Sequence, residues 1–313
     1  MKNHLAFLHV LLLASLLFAA DAQAKAVLQF GLFGDTPYSD FERRQLPLIL
    51  EEMGQENIAF AVHDGDIKSG SSRCDDSMYQ DIFGAFNASP VPLIYVPGDN
   101  EWTDCRRPAC GGFDQQERLA FLRKTFFADN SSLGQRRILL ERQEGTPENV
   151  RWEAAGVQFV ALNIPGDDNN VKFDAEYSPR NAANLAWLRD AFHLARERKL
   201  RGLLLVIQAN PFIEADNEGA TKQGFRDFLD LLREETMGFS GQVVLVHGDT
   251  HSMQINQPLR ARGTRKLIAN FTRVETYGAP FLGWIRGVVD DTDPKVFRFE
   301  IHPWRTGGPL GTP

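Results

Sequence analysis

The sequence is short of cysteine, of clustered positive charge and of long apolar runs, and each shortage removes a class of protein. Three cysteines, Cys74, Cys105 and Cys110, stand in 313 residues, with no Cys-x-x-Cys spacing among them. Structural zinc modules rely on that spacing, so they are excluded. Three is odd, so at most one internal disulfide forms. Lys and Arg number 34 against 41 Asp and Glu, a net charge of −7, and no long basic block offsets it. Nonspecific nucleic-acid binding needs such a block, so no nucleic-acid partner is expected. Past the first two dozen residues no stretch reaches the roughly 18 to 20 apolar residues of a bilayer helix. No membrane span is therefore expected in the mature form. No internal repeat or linker interrupts the chain, which makes one domain the simplest organisation.

What is present starts with a leader. Lys2 precedes an uncharged, mainly apolar run over residues 5–18, followed by the small-x-small site Ala22-Gln23-Ala24. This pattern predicts a signal peptide over residues 1–24 and an exported protein, periplasmic or secreted. The folded domain is expected over residues 25–305. The Gly/Pro/Thr-rich end, 306–313, reads as a disordered tail. Export would put the cysteines in an oxidising compartment. Cys74 and Cys105 each follow a Gly-Asp turn by a few residues and would tie two loops together if those turns converge; Cys105 to Cys110 is the local alternative.

Strand patterns at 26–33, 58–62 and 91–96 alternate with helical patterns at 38–53 and 76–86, the β-turn-α-β order of a layered α/β protein. Asp114 is placed to cap a helix through residue 127, with Glu117 as its capping partner. Residues 138–141, 150–154 and 157–163 read as strands, 181–199 as a helix and 203–207 as a fully apolar strand. Phe225, Phe228, Leu229 and Leu232 mark another amphipathic helix before the strand at 243–246. After it, 266–271, 282–289 and 296–301 are strand-like without helices between them, which suggests an antiparallel edge or a second sheet.

Four apolar runs end in the same dipeptide: Gly34-Asp35, Gly65-Asp66, Gly98-Asp99 and Gly248-Asp249. A fifth, Gly166-Asp167, opens a polar run and has a weaker claim. In open α/β sheets ligands bind beyond the carboxyl ends of the strands, where these aspartates fall. Carboxylates brought that close cannot all stay ionised without counter-charge, and two divalent cations would balance four of them.

These residues resemble the ordered motifs of the calcineurin-like metallophosphoesterases. The matching positions are Gly34-Asp35, Gly65-Asp66, Gly98-Asp99-Asn100-Glu101, the Gln208 region and Gly248-Asp249-Thr250-His251. The resemblance implies a four-layer α-β-β-α sandwich, two mixed β-sheets packed face to face with helices outside. It implies a metal-dependent phosphoester hydrolase with a dinuclear divalent-metal centre and a metal-bound hydroxide as nucleophile. Asp35, Asp66, Asp99, Gln208, Asp249 and His251 would hold the metals, with Asp66 shared and Asn210 close enough to compete with Gln208. Several imidazoles of the family are exchanged here for oxygen groups. Pro37 stands in the family's Asp-x-His motif, Asp99 replaces the metal-binding Asn, Asn100 the catalytic His, and Gln208 and Asp249 two ligand histidines. Such donors favour Mn²⁺, Mg²⁺ or Ca²⁺ over Zn²⁺. Asn100, His63 and His247 are the catalytic candidates, the two histidines also reading as buried supports for a ligand. Lys68 and Arg73 are the candidates for binding a small-molecule phosphoester, with Arg106 and Arg107 on the same loops. The same exchanges support an alternative, a catalytically degenerate member that binds a phosphorylated ligand or a protein partner. A structural protein of the cell envelope has only the leader in its favour.

Overall fold

The computed structural model describes residues 27–290 and 292–305; the expected signal segment 1–24 and the tail 306–313 lie outside the described residues. Among the described residues, twelve strands form two mixed sheets. The first takes the order β12-β11-β1-β2-β3, from β1 (Val27–Phe33), β2 (Phe60–His63), β3 (Leu93–Tyr95), β11 (Gly283–Asp290) and β12 (Phe297–Pro303). The second runs β4-β5-β6-β7-β8-β10-β9, from β4 (Glu141–Gln143), β5 (Thr146–Ala154), β6 (Val157–Ala161), β7 (Gly202–Val206), β8 (Gln242–His247), β9 (Gln254–Asn256) and β10 (Phe271–Glu275).

The period-2 alternation of these strands decides the layering. Phe30, Leu32, Phe60 and Val62 of the first sheet meet Phe159, Leu204, Val206, Val244 and Val246 of the second in one dry layer. The odd-numbered neighbours face outward: Phe33, Ala61 and Tyr95 pack under α1 (Asp40–Gln55), α2 (Asp76–Asn87) and α3 (Gln115–Phe126). Leu203, Leu205, Val243 and Leu245 pack under α4 (Asp174–Glu197) and α5 (Arg226–Met237). The result is the helix-sheet-sheet-helix sandwich. Phe30, Phe60, Trp152 and Phe159 close its far end, with ring centroids 5.1 to 5.6 Å apart in edge-on and stacked pairs.

Three details depart from the sequence reading. Helix α4 begins at Asp174 and runs through Pro179, because its first turns are held from outside. The buried Arg180 guanidinium binds Glu176, the Asn163 carbonyl and Asn169. The segment 266–271 contributes only Phe271 to a strand; β10 pairs parallel to β8, while β9, β11 and β12 supply the antiparallel pairings. Asp114 does cap α3 by accepting the Glu117 N–H at 2.9 Å, but the Glu117 carboxylate turns to Arg118 instead of completing the box.

Candidate functional site

Strands β1, β2 and β3 run parallel to one another, as do β6, β7, β8 and β10. Their carboxyl ends therefore open at one end of the sandwich, and the Gly-Asp turns meet there. Asp35, Asp66, Asp249 and His251 all take left-handed backbone conformations, with φ of 46°, 59°, 73° and 54°. Asp tolerates that region better than most residues, yet each such residue costs about 1–2 kcal/mol, and such strain clusters at functional sites. The preceding glycines allow the turns to interlock. A Cβ at Gly248 would stand 2.0 Å from Asp35 Oδ2, and one at Gly98 would stand 2.1 Å from Asp66 Oδ1. Each carboxylate is thus seated against the backbone of a neighbouring turn.

The half of the crevice at β1 and β2 centres on a residue absent from the sequence reading of the site, Tyr38. Its hydroxyl lies 3.0 Å from Asp66 Oδ2, 3.3 Å from Asp35 Oδ1, 3.4 Å from His251 Nε2 and 3.1 Å from Asn100 Nδ2. His251 Nδ1 lies 2.6 Å from the Ala279 carbonyl and must donate to it. In the neutral ring Nε2 is then a lone pair. With that neutral ring, Asp35, Asp66 and His251 present acceptors to a hydroxyl that has one proton to give; a protonated ring would instead turn Nε2–H to Asp35 Oδ1, 3.4 Å away. Asp35 also takes the Asp249 N–H on both oxygens, at 3.1 and 3.0 Å. Asp66 is held by the Asn100 main chain at 3.1 Å and its side-chain amide at 2.7 Å. The spacing Asp35-Thr36-Pro37-Tyr38 was the available signal, a polar aromatic following proline in a Gly-Asp turn.

The half at β3, β7 and β8 holds Asp99, Gln208 and Asp249, and the structure brings Gly166 among them. A Cβ on Gly166 would meet Asp99 Oδ1 at 2.5 Å and Asp249 Oδ1 at 2.9 Å, while its N–H donates to Gln208 Oε1 at 2.7 Å. The Gln208 carbonyl oxygen thus accepts one hydrogen bond and keeps a second lone pair, while its NH₂ is buried. Asn210 uses its N–H on Asp249 Oδ2 and its side chain on Thr250 and the Phe212 N–H, so it does not replace Gln208. Asp167 to Asn170, following Gly166, are all left-handed, with φ between 48° and 57°. Among the described residues, Asp99 Oδ1, Glu101 Oε2 and Gln208 Nε2 are buried without a hydrogen-bond partner.

Burial raises the carboxyl pKa values throughout. Asp66 is pushed well above the usual range by burial and then by the charges of Asp99, Glu101, Asp35 and Asp249. Burial and Asp249 do the same to Asp99, and burial and Asp35 push Asp249 up to about 6. Burial also raises Asp35, against the pull of His251. Burial opposes the charged form of His251, but the Asp35 carboxylate outweighs it and raises the imidazole. Glu101 organises the turns beneath: its Oε1 accepts from Tyr95 at 2.7 Å, Gly98 N at 2.6 Å and Asp66 N at 3.1 Å.

The other candidates separate cleanly. His63 is fully buried between Phe33, Phe86 and Tyr95, with one ring nitrogen 2.8 Å from the Thr36 carbonyl and the other accepting from Gly65 N at 3.2 Å. Both nitrogens are spent inside the fold, so His63 supports the turn that carries Asp35 and Tyr38. His247 is equally buried, with Nδ1 3.0 Å from the Gly248 carbonyl. Burial lowers both imidazoles to about 4. Lys68 is fully buried beside the cluster; burial lowers its ammonium against the pull of Cys110, Glu101, Asp66 and Asp104. Arg73 instead pairs with Asp75 at 2.9 Å on the exposed surface, and Arg106 with Asp167 at 2.8 Å. A cation the sequence reading passed over, Lys222, stands 3.6 Å over the Phe212 ring and exerts its charge on Asp249. Cys74 and Cys105 form a disulfide that joins the second and third Gly-Asp loops, and Cys110 is free and buried.

The donor chemistry at the first half, two carboxylates and an imidazole lone pair, fits a hard divalent cation. The spacing in this conformation is that of hydrogen bonds around Tyr38. Among the described residues no group of three or more His, Cys, Asp and Glu side chains stands in ion-holding geometry. No described helix is long and apolar enough to cross a membrane.

Comparison with known proteins yields no matching family model and no matching curated sequence. Solved structures do match. A dimetal phosphatase from Danio rerio superposes with a TM-score of 0.55 at 13% identity, over 88% of this chain and 96% of that one. GAP50, the anchor in the inner membrane complex of Plasmodium, gives 0.53 at 10% identity over 90% of each chain. PhoD gives 0.52 at 10% identity over 90% of this chain and 73% of its own. With its paired mixed sheets and the aspartate turns at their carboxyl ends, the chain has the calcineurin-like metallophosphoesterase fold.

Proposed function

We propose that the protein is an exported phosphoester hydrolase whose crevice takes hard divalent cations, Mn²⁺, Mg²⁺ or Ca²⁺ before Zn²⁺. The observation that carries this reading is the set of Asp35, Asp66 and His251 acceptors facing the single proton of Tyr38. Buried negative charge of that density calls for a cation. Asp35, Asp66 and His251 would hold one ion, and Asp66, Asp99 and Asp249 a second. Such ions supply Lewis acidity toward a phosphoryl oxygen and lower the pKa of a water. Asn100, whose amide reaches Asp66 Oδ2 and the Tyr38 hydroxyl, would turn the N–H now on Tyr38 to a phosphate oxygen. It has no proton to deliver, and both ring nitrogens of His63 are occupied, so the substrates expected are small phosphoesters with good leaving groups. Lys68 adds positive charge beneath the site. The Cys74–Cys105 bridge agrees with an oxidising compartment, periplasmic or extracellular.

A second reading, a fold-retaining protein without turnover that binds a phosphorylated ligand or a protein, is favoured by one observation. The Tyr38 hydroxyl and the Gly166 N–H already hydrogen-bond oxygen atoms, Asp66 Oδ2 and Gln208 Oε1, that cations would use. GAP50, an anchor, has the same fold. Metal content after purification, and hydrolysis of activated aryl phosphate mono- and diesters across Mn²⁺, Mg²⁺ and Ca²⁺, separate the two. Bound metal with turnover supports the hydrolase; no bound metal and no turnover across the panel overturns it.

A further inference from the structure

We propose that the Tyr38 hydroxyl is a placeholder at the first cation position and that it must leave before a cation binds. The inference rests on the cation reading above and goes beyond it by naming the residue that sets affinity. Its basis is geometric. One oxygen lies within 3.4 Å of Asp35, Asp66, His251 and Asn100, so it marks the point on which those side chains converge. A cation coordinated by Asp35, Asp66 and the His251 lone pair at about 2.0–2.6 Å needs that same point. Oxygen and ion cannot share it.

The fold allows the phenol to leave without moving the main chain. Tyr38 is half-buried at the mouth of the crevice, whereas Asp35 and Asp66 lie beneath it. Its backbone N–H is taken by the Glu42 carboxylate, while the Ser39 side chain caps α1 by accepting the Glu42 N–H. The backbone is thereby fixed at the helix entrance, so the phenol, whose ring meets that of His251 edge-on with centroids 5.3 Å apart, would leave by side-chain rotation. In the absence of a cation, the hydroxyl gives Asp66 a hydrogen bond and stands between acceptors that would otherwise face one another. The apparent affinity for a cation is the intrinsic affinity scaled by the fraction of time the hydroxyl is out.

The test is calorimetric titration of MnCl₂ into the metal-stripped full chain, wild type against Tyr38→Phe and Tyr38→Ala, with melting temperatures in chelator and in Mn²⁺. Tyr38→Phe keeps the ring and removes the anchoring bonds, so it should bind Mn²⁺ about tenfold to a hundredfold more tightly than wild type. In chelator it should melt below wild type, and the rise on adding Mn²⁺ should be larger. Tyr38→Ala should shift affinity in the same direction. Wild-type binding with unchanged or weaker binding in both variants overturns the placeholder and makes Tyr38 a ligand or a bystander, while the cation reading stands. Absence of binding in all three proteins overturns both.

Discussion

The two halves of the crevice meet the same problem, buried carboxylates facing one another, by different means. At β1 and β2, Asp35, Asp66 and His251 share a side-chain hydroxyl. At β3, β7 and β8, Asp99, Gln208 and Asp249 face the main chain of Gly166. A phenol leaves by rotating about its own bonds. Gly166 opens a left-handed turn that Arg180 holds through Asn169 and that Gly224 holds through Asp168, so moving it means moving several anchored residues. The first half is adjustable and the second pre-shaped, and an ion entering the crevice should find its affinity set by the first and its position limited by the second.

The residue both halves depend on should give the largest effect. Asp66→Asn removes the shared charge, and since even supporting partners of metal ligands are worth about 10–100-fold in affinity, its loss should weaken Mn²⁺ binding by at least about 100-fold. Hydrolysis of an activated aryl phosphate should fall with it. Equal affinity in Asp66→Asn and wild type would remove Asp66 from the site.

Acid should act through the first half. His63 holds the Thr36 carbonyl, in the turn that carries Asp35 and Tyr38. Its folded pKa, about 4, lies below the unfolded value of 6.5, so between those values the unfolded chain binds the extra proton. The stability this difference represents is present above pH 6.5 and is lost as pH falls toward 4, on the order of 3 kcal/mol in total. Asp249, raised to about 6, has the opposite sign: it contributes stability at low pH that is lost as pH rises through 6. Comparing wild type with His63→Phe by denaturant unfolding in chelator, at neutral and acid pH, isolates the histidine. The variant should lose less stability on acidification; parallel pH curves would show that the imidazole does not stay neutral in the fold.

Gly166→Ala addresses the second half alone. The added methyl would press on Asp99 and Asp249, and overpacking of this kind costs about 1–3 kcal/mol. The melting temperature should fall by several degrees, with fewer Mn²⁺ ions bound per chain and binding at the first half retained. A variant as stable as wild type, with unchanged stoichiometry, would show that the second half yields as readily as the first.

The α/β layering was legible in the sequence because its apolar strand runs alternate with helical patterns, and the sandwich was implied by the resemblance that the Gly-Asp turns at strand ends carry. Four things were not. The α4 start depends on Arg180 reaching across to Asn163 and Asn169, a tertiary contact that no local pattern encodes. Tyr38 belongs by spacing to a helix entrance, and only the folded turn aims its hydroxyl at Asp35 and Asp66. Gly166-Asp167 looked like a polar loop because what matters there is a bare Cα, the contact a glycine makes by having no side chain. Basic residues were the least legible, since chain neighbourhood says little about where a long side chain ends.

Lys68 and Arg73 make that last point testable. They lie five positions apart on one loop, yet Lys68 is buried beside Glu101, Asp66 and Asp104 while Arg73 pairs with Asp75 in solvent. Lys68→Met should tighten Mn²⁺ binding several-fold, because it removes positive charge next to the site, and should raise the KM for a phosphoester for the same reason. Arg73→Ala should change neither, because an exposed ion pair in high dielectric transmits little to a crevice it does not face. A raised KM in Arg73→Ala alone would place the phosphate on the outer side of the loop and reverse the assignment of its two cations.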